Sequence, residues 1–360
     1  MAAPLVIRFG ALGDMILTTP LLRALAERHG CPVDLLSRGA VTPTIFQNLP
    51  FVGEVRTIEH RNGPYLFNPD QWSVVRWLAT YRDSPVYLLE TNPKSTWLCR
   101  KAGIRNLISA LHVRRRVNEH TVDFQSRLGS YRSVGHREPF TDRERGTELR
   151  ISERERVETD EWLDKLGCRD RSYVVFQVGN RKAARSPHQS AHIKEWPDER
   201  WIGVMRGVLE TLPEARILMT GTEDERALQE RIARAAGDSR ILPIAGSCSL
   251  RRLFAVIERA HSMISVDTGP AHAAAALNCP LVVLFGKTDP RDNCPSSRSS
   301  PVLVVTGPAD APVRPGARAW AEFHSMGRID VDRVLDAWRS GILGRSLSAE
   351  TLHGPDTNLS

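Results

Sequence analysis

Short β-branched runs alternate with amphipathic helical segments along this chain, and the alternation starts afresh near the middle. The strand-like runs of the first half are LVIRF, PVDLLS, VYLLET and RNLISAL. Those of the second half are YVVFQVG, ARILMTG, RILPIAG, SMISVD and LVVLFG. Strands that alternate with helices are typical of parallel sheets covered by helices. The sequence therefore predicts two doubly wound α/β units, with a boundary near residues 168–172.

Helical periodicity between these runs predicts eight helices, over 14–29, 95–103, 153–167, 198–212, 224–237, 249–260, 270–277 and 328–342. Residues 112–148 have weak periodicity and predict loops with one helix. The chain turns polar after about residue 346, so residues 346–360 are expected to fray.

Composition suits two cores in a protein of the cytoplasm. The chain has 360 residues, of which 41% are hydrophobic, and a domain commonly takes roughly 100–200 residues. No run reaches the roughly 18 apolar residues of a membrane helix, and no secretory signal is present. The six cysteines lack C-x-x-C or zinc spacing, which predicts reduced thiols.

The net charge of +7 lies entirely in the first half of the chain. Residues 1–150 hold 21 Lys or Arg and 14 Asp or Glu, whereas residues 151–360 hold 28 of each. A basic half favours an anionic partner, such as a phosphorylated glycan, an anionic membrane surface or nucleic acid. Nucleic acid is the weaker choice because no binding motif accompanies the charge. The alternative is that solvated arginines merely keep the protein soluble.

A lone carboxylate, Asp14, stands where the first strand turns into a helix, in the stretch RFGALGDMILTTP. Asp is a good N-cap because its oxygen accepts an unpaired N–H of the first turn. The other interpretation is a base at the mouth of the sheet, since Gly10 and Gly13 allow a loop to approach a substrate closely. This stretch alone leaves both interpretations open.

The stretch SVDTGPAHAAAAL predicts an anion site at the start of a helix. The strand ends at Asp267, and Thr268 with Gly269 forms the turn. Pro270 is expected at the first helical position, where its missing N–H costs nothing. First-turn N–H groups attract anions, and His272 can face the same crevice. The alternative is an ordinary helix with Asp267 as its cap.

Three weaker patterns also end strands in polar turns. Lys194, in a long loop over 180–197, can meet a diphosphate as a point charge or can be simply solvated. Glu223 in TGTEDER can accept from ribose hydroxyls, or Thr222 can cap a helix there. Lys94 in TNPKS, with Arg61, could hold anionic groups.

Together these segments resemble glycosyltransferase family 9, the ADP-heptose:lipopolysaccharide heptosyltransferases. The motifs that carry the resemblance are RFGALGDMILTTPLLRAL, LLETNPKS, KEWP, TGTEDE and SVDTGPAHAAAAL…LFGKTDP, within roughly residues 5–290. The resemblance implies a GT-B fold, with two Rossmann-like doubly wound domains facing across a cleft. It places an acceptor-binding domain with the base in residues 1–170, a donor-binding domain in residues 171–345, and a disordered tail in residues 346–360.

The resemblance also implies the chemistry. It implies inverting, metal-independent and cofactor-independent transfer of a heptose from ADP-heptose to a hydroxyl of an anionic glycan, the lipopolysaccharide inner core. A single displacement needs one carboxylate as base, which the resemblance assigns to Asp14. Donor contacts are expected from Lys194, Glu223, Asp267, Thr268, Gly269 and His272. Acceptor contacts are expected from Gly13, Arg61 and Lys94.

The partners expected are therefore an ADP-sugar and an anionic glycolipid, reached at the cytoplasmic face of the inner membrane, and no nucleic acid. Residues 56–84 match the family little, so heptosyl transfer to a protein or a small metabolite stays open as an alternative. A second alternative is a non-catalytic nucleotide-sugar-binding protein, which the presence of Asp14 disfavours. The third, an NAD-dependent oxidoreductase, is disfavoured because RFGALGD lacks the G-x-G-x-x-G pattern.

Overall fold

A computed structural model describes residues 3–59, 65–133, 135–140, 144–168, 172–179, 194–308, 320–321 and 324–344. The chain divides into two compact units. The first unit is Met1–Ser152 with Arg291–Arg298, and the second is Glu153–Pro290 with Ser299–Ser360. The predicted tail, residues 346–360, lies outside the described residues. The expected roles of the two domains in acceptor and donor binding stay predictions.

The first unit is built on a parallel sheet with the strand order β3-β2-β1-β4-β5. Its strands are β1 (Leu5–Ile7), β2 (Val33–Ser37), β3 (Val52–Thr57), β4 (Pro85–Leu88) and β5 (Asn106–Ser109). Its helices are α1 (Leu12–Ile16), α2 (Thr19–His29), α3 (Thr42–Phe46), α4 (Pro69–Leu78), α5 (Pro93–Lys101) and α6 (Thr121–Gly129). A small antiparallel pair, β6 (Tyr131–Ser133) and β7 (His136–Arg137), follows α6.

The first predicted helix, over 14–29, is broken in the structure, and the prediction of one continuous helix is wrong. Pro20 has no N–H with which to continue the hydrogen-bond ladder. The hydroxyl of Thr18 donates to the carbonyl of Asp14 at 2.9 Å, and that of Thr19 donates to the carbonyl of Ile16 at 2.8 Å. The break separates the short helix α1 from α2 and leaves α1 as a distinct turn after the first strand.

The second unit repeats the doubly wound arrangement with the strand order β10-β9-β8-β11-β12-β13, all parallel. Its strands are β8 (Tyr173–Gln177), β9 (Arg216–Met219), β10 (Ile241–Pro243), β11 (Ser262–Val266), β12 (Leu281–Phe285) and β13 (Val302–Thr306). Its helices include α7 (Glu153–Lys165), α8 (Asp198–Thr211), α9 (Arg226–Ala236), α10 (Leu250–Arg259) and α11 (Gly269–Ala276). Helix α13 (Val331–Trp338) follows, and a π-helical turn, Arg339–Leu343, extends α13. The short helix α12 (Pro290–Asn293) lies between β12 and β13 in the chain, and its residues from Arg291 onward belong to the first unit.

Complete burial of the central strands explains their apolar sequences. Every residue of β8, β11 and β12 is buried, as expected for a parallel sheet with helices on both faces. Trp201 and Trp338 are fully buried against this sheet. The ring of Trp196 packs edge-on against Trp201 at 4.9 Å between centroids. These contacts confirm the α/β fold class of the second half.

Helix α7 belongs to the second unit and is held there by charge pairs with α10. Arg156 Nε lies 2.8 Å from Glu258, and Arg251 Nε lies 2.5 Å from Glu155. Arg259 pairs with Asp160 on the same face. The second unit therefore begins at Glu153. The sequence pattern had predicted the boundary between the two units near residues 168–172.

All six cysteines are free thiols, as predicted. None of the described helices is both long and apolar enough to span a bilayer.

Candidate active site

Each sheet has a topological switch point. There the chain, after adding strands on one side of the first strand, crosses to the other side of it. In the first unit this point lies between β1 and β4, and in the second it lies between β8 and β11. Open α/β sheets bind ligands at such points, beyond the carboxyl ends of the strands. The loops after these four strands are therefore the candidate ligand-binding loops of the two units.

Asp14 follows β1 and occupies the third position of α1. Its Oδ2 accepts the backbone N–H of Ala11 at 3.0 Å, and its Oδ1 accepts from Arg8 Nη2 at 3.0 Å. Ala11 holds the N-cap position, so Asp14 is not the N-cap that one interpretation of the sequence supposed. The Asp14 side chain is 38% exposed, which leaves part of the carboxylate accessible from solvent.

Gly10 makes room for this carboxylate. A Cβ atom at position 10 would lie 2.3 Å from the Cβ of Asp14, closer than two non-bonded carbon atoms can approach. Gly13 is buried within α1. Glycine at position 10 is thus required by the local packing of Asp14.

Arg8 joins Asp14 to a second carboxylate, Glu90, which follows β4. Arg8 Nη1 lies 3.3 Å from Glu90 Oε1, and the same oxygen accepts the backbone N–H of Phe9 at 2.9 Å. Sequence reasoning missed both Arg8 and Glu90. One signal in the sequence could have identified them. Both are charged residues at the ends of predicted strands, and the strand–helix alternation allows those two strands to be neighbours in the sheet.

Lys94 lies at the start of α5, where the side chain of Asn92 accepts its backbone N–H at 2.8 Å. It lines a cavity of about 570 Å³ together with Tyr65, Trp97 and Arg100. The other predicted acceptor contact, Arg61, lies outside the described residues. Of the predicted acceptor residues, the structure thus places Lys94 in a cavity and Gly13 inside a helix.

In the second unit, α11 begins one residue earlier than predicted. Gly269 is its first residue and Pro270 its second, so the prediction of Pro270 at the first position is wrong. Thr268 occupies the N-cap position, and its hydroxyl donates to the carbonyl of Val266 at 3.2 Å. His272 lies near this end of α11 and is 5% exposed. The backbone N–H groups of the first turn point out of the carboxyl edge of the sheet.

The carboxylate of Asp267 accepts from a lysine and does not cap this helix. Lys194 Nζ lies 2.5 Å from Asp267 Oδ2 and 2.7 Å from the Asp267 carbonyl oxygen. Asp267 is 7% exposed, while the Lys194 side chain is 29% exposed. An ammonium has three N–H groups, so two are directed at Asp267 and the third can meet another oxygen. The structure therefore joins Lys194 and Asp267 at the start of α11.

The turn after β9 separates two acids that look equivalent in sequence. Glu223 is exposed and pairs with Arg226 at 2.6 Å, and this pairing lowers the pKa of Glu223. Glu225 is 3% exposed and accepts from the N–H and the hydroxyl of Thr222, both at 2.8 Å, and from Gln177 Nε2 at 3.0 Å. Glu225 thus organises the turn, whereas Glu223 is accessible from solvent.

The chain is similar to known proteins in sequence and in fold. The model of glycosyltransferase family 9 (heptosyltransferase) matches residues 83–314. Lipopolysaccharide heptosyltransferase 3 of Escherichia coli (strain K12) is 27% identical over 290 residues, which are 77% of this chain and 80% of that protein.

Two solved structures have the same fold. The E. coli ADP-heptose lps heptosyltransferase II superposes with a TM-score of 0.72 at 20% identity, over 96% of this chain and 100% of that chain. The E. coli heptosyltransferase WaaC with ADP-2-deoxy-2-fluoro heptose gives 0.63 at 18% identity, over 97% and 100%. The family match covers more than half of the sequence. This chain therefore belongs to glycosyltransferase family 9, the heptosyltransferases, and is a glycosyltransferase.

Proposed function

We propose that this enzyme transfers a heptose from ADP-heptose to a hydroxyl of an anionic glycan, the inner core of lipopolysaccharide, with inversion at the anomeric carbon. Family membership supports heptosyl transfer. The name of the matched E. coli relative supports a lipopolysaccharide acceptor. The solved relatives support the donor, because one is an ADP-heptose lps heptosyltransferase and the other is a heptosyltransferase with ADP-2-deoxy-2-fluoro heptose. The observation that carries the proposal is the fixed, partly exposed carboxylate of Asp14 beside Arg8.

Asp14 acts as the general base in this proposal. An acceptor hydroxyl is a weak nucleophile at neutral pH, so a positioned base must take its proton as it attacks the anomeric carbon. Ala11 and Arg8 hold one carboxylate oxygen each, which sets the orientation of the carboxylate plane. Inversion follows from a single displacement, in which the new bond forms on the face opposite the departing ADP.

The start of α11 receives the diphosphate. Negative charge grows on the ADP oxygens as the bond to the sugar breaks, and backbone N–H groups at a helix start are favourable partners for it. Thr268 and Gly269 supply such groups, and Lys194, held by Asp267, adds a cation at the same place. His272 and Glu223 are proposed to contact the donor, with Glu223 accepting from the ribose hydroxyls.

Metal independence is part of the proposal. A cation and helix-terminal N–H groups can together stabilise a leaving diphosphate, the task that a divalent metal performs in other transferases. In the part of the chain that the structure describes, no group of three His, Cys, Asp or Glu side chains is arranged to hold a metal ion. The proposal is tested by comparing transfer with and without a chelator.

The decisive experiment supplies ADP-heptose and a lipid A–Kdo acceptor, and follows ADP release and the acceptor mass. We expect a mass gain of one heptose, with an inverted anomeric configuration by NMR. Asp14→Asn should lower turnover by about 10²–10⁴-fold while ADP affinity stays nearly unchanged. Asp164→Asn, at an exposed position of α7, is the matched control and should retain full turnover.

Other outcomes discriminate the alternatives. ADP binding without turnover on any acceptor would indicate a binding protein. Transfer to a protein or a small metabolite, but not to the glycolipid, would contradict the proposed glycolipid acceptor. Full turnover by Asp14→Asn would remove Asp14 from the role of base.

A further inference from the structure

The exposed aromatic side chains of the first unit lie together. Among the residues that the structure describes, the large apolar side chains that are strongly exposed include only three aromatic ones. These are Phe67 at 83%, Trp72 at 40% and Trp97 at 38% exposure. We name the surface formed by Tyr65, Phe67, Trp72, Trp97 and Leu111 the aromatic patch. Leu111 is itself 47% exposed.

Contacts, a shared cavity and chain position connect the members of the aromatic patch, and Phe67 lies two residues after Tyr65 in the same 3-10 turn. The rings of Tyr65 and Trp97 meet edge to face at 5.2 Å between centroids. Trp72 Nε1 donates to the carbonyl of Tyr65 at 2.6 Å. Leu111, Trp97 and Tyr65 line the same cavity of about 570 Å³. Clustered apolar exposure of this kind marks an interaction surface, whereas single exposed apolar residues are ordinary.

Helix α5 places cations beside the aromatic patch. Helix α5, which carries Trp97, also carries Lys94, Arg100 and Lys101 and has no acidic residue. Arg100 and Lys94 line the cavity, and Lys101 Nζ lies 5.7 Å from the centre of the Tyr65 ring. The first 150 residues hold the whole net positive charge of the chain. The surface therefore combines exposed aromatic rings with positive charge.

The aromatic patch lies at the same edge of its sheet as Asp14. Asp14 follows β1, α5 follows β4, and Leu111 follows β5. These three strands are parallel neighbours, so their carboxyl ends meet at one edge. A large molecule held by the aromatic patch would thus be held on the side of the proposed base.

We propose that the aromatic patch docks this enzyme on an anionic lipid bilayer. Tryptophan and tyrosine favour the headgroup region because they have an apolar ring and a polar N–H or O–H. Phe67 and Leu111 can enter the apolar boundary, while Lys94, Arg100 and Lys101 attract anionic headgroups. The inference rests on the proposed function, because the proposed glycolipid acceptor lies in such a bilayer.

The positive charge beside the aromatic patch favours an anionic bilayer over a second copy of the chain as the binding partner. Two copies joined through this surface would bring two sets of cations together, and like charges across an interface oppose binding. An anionic bilayer has the complementary sign. Its attraction should weaken with salt, whereas apolar insertion should persist.

The test is flotation of the full chain with vesicles of phosphatidylcholine containing 30% phosphatidylglycerol (about a third anionic lipid), without any glycolipid acceptor. We expect the protein to float with these vesicles at low salt and to bind pure phosphatidylcholine vesicles much less. The variant Phe67→Ser/Leu111→Ser should lower the partition coefficient by about tenfold or more, because two exposed apolar side chains no longer enter the boundary.

The matched control is Val157→Ser/Val304→Ser, which removes two exposed apolar side chains of the second unit, at 49% and 39% exposure. It should bind vesicles like the unmodified chain. Unchanged thermal unfolding of both variants establishes that they fold. Failure of the unmodified chain to float, or equal binding by the two variants, overturns the inference.

Transfer assays separate this inference from the proposed function. With a de-acylated, water-soluble acceptor, Phe67→Ser/Leu111→Ser should transfer heptose at the unmodified rate. With acceptor embedded in anionic vesicles, the same variant should be slower in proportion to its weaker binding. Equal loss on both acceptors would make the surface a glycan subsite and overturn bilayer docking. Vesicle binding without any heptosyl transfer would instead contradict the proposed function alone.

Discussion

The guanidinium of Arg8 lies 3.0 Å from the carboxylate of Asp14. Its other terminal nitrogen lies 3.3 Å from Glu90, whose carboxylate is 15% exposed and also accepts the N–H of Phe9. Glu90 therefore anchors Arg8 to the end of β4, and Arg8 in turn orients Asp14. Arg8 is a positioning residue in the proposed mechanism.

Replacing Arg8 should consequently lower kcat more than it raises KM. In Arg8→Gln the carboxylate of Asp14 loses one of its two fixed partners and can rotate, and misplaced catalytic groups commonly cost about 10–10²-fold. Arg8→Lys retains a cation and should recover part of the loss. Steady-state kinetics with varied acceptor measures both constants. Equal losses in Arg8→Gln and Arg8→Lys, or a change confined to KM, would contradict positioning.

Removing the Lys194 side chain should weaken ADP binding and destabilise the second unit. Lys194→Met leaves the buried carboxylate of Asp267 without its cation, beside the proposed diphosphate site. We expect ADP affinity to fall by about 10–10²-fold, with a lower Tm. Calorimetry at two salt concentrations measures the affinity, and its salt dependence should become weaker.

The double variant Lys194→Met/Asp267→Asn separates these two effects. Neutralising both partners removes the unpaired buried charge, so Tm should recover. ADP affinity should stay low because the cation is still missing. Recovery of affinity together with Tm would show that Lys194 acts on the fold and not on the ligand.

Two of the three acids in the turn after β9, Glu223 and Glu225, should respond to substitution in opposite ways. Glu223→Gln removes an exposed acceptor, so we expect about three- to tenfold weaker ADP-sugar binding and an unchanged Tm. Glu225→Ala leaves the N–H and hydroxyl of Thr222 and an amide N–H of Gln177 without their acceptor. Loss of such a buried acceptor costs about 2–3 kcal/mol. Thermal unfolding measures the Tm of both variants, and calorimetry measures their ADP-sugar affinity. A lower Tm in Glu223→Gln would contradict the predicted difference between the two acids.

His120 should make the free energy of unfolding fall at mildly acidic pH. Its Nδ1 accepts the N–H of Val122 at 3.3 Å, and its Nε2 lies 2.9 Å from the Cys294 carbonyl oxygen, which can only accept. The ring is therefore neutral with its proton on Nε2. Burial, the largest cause, lowers the pKa of His120 below its usual value.

The direction of this pH dependence follows from the proton uptake of the folded and unfolded chains. Because the pKa is lower in the folded chain, the unfolded chain binds the proton first as pH falls. The stabilisation is complete above the unfolded pKa of about 6.5 and is lost as pH falls from there through the folded pKa. His120→Asn retains an N-cap acceptor and does not titrate, so its urea midpoint should fall less between pH 7.5 and 5.5 (about one unit either side of that value). Identical pH dependence in the two proteins would contradict this role.

Local sequence determined the elements and the residues at their ends. β-branched runs and helical periodicity require only short-range dihedral and side-chain preferences, so the alternation that defines both units was predictable. For the same reason Asp14 and the turn at Asp267–Gly269 could be placed directly after strands. Edge strands were harder to predict: β3 has only exposed and partly buried residues and lacks the apolar run that marks a buried parallel strand.

Only the tertiary structure decided which of these strand ends meet. Arg8 and Glu90 are 82 positions apart, and Lys194 and Asp267 are 73 apart. Their contacts depend on which strand lies beside which, and no local preference encodes that order. Likewise Glu223 and Glu225 have the same chemistry, and only packing against Gln177 and Thr222 buries one and exposes the other. The sequence by itself determined where charged groups end strands, and long-range packing decided which of them act together, because burial and sheet order are properties of the whole fold.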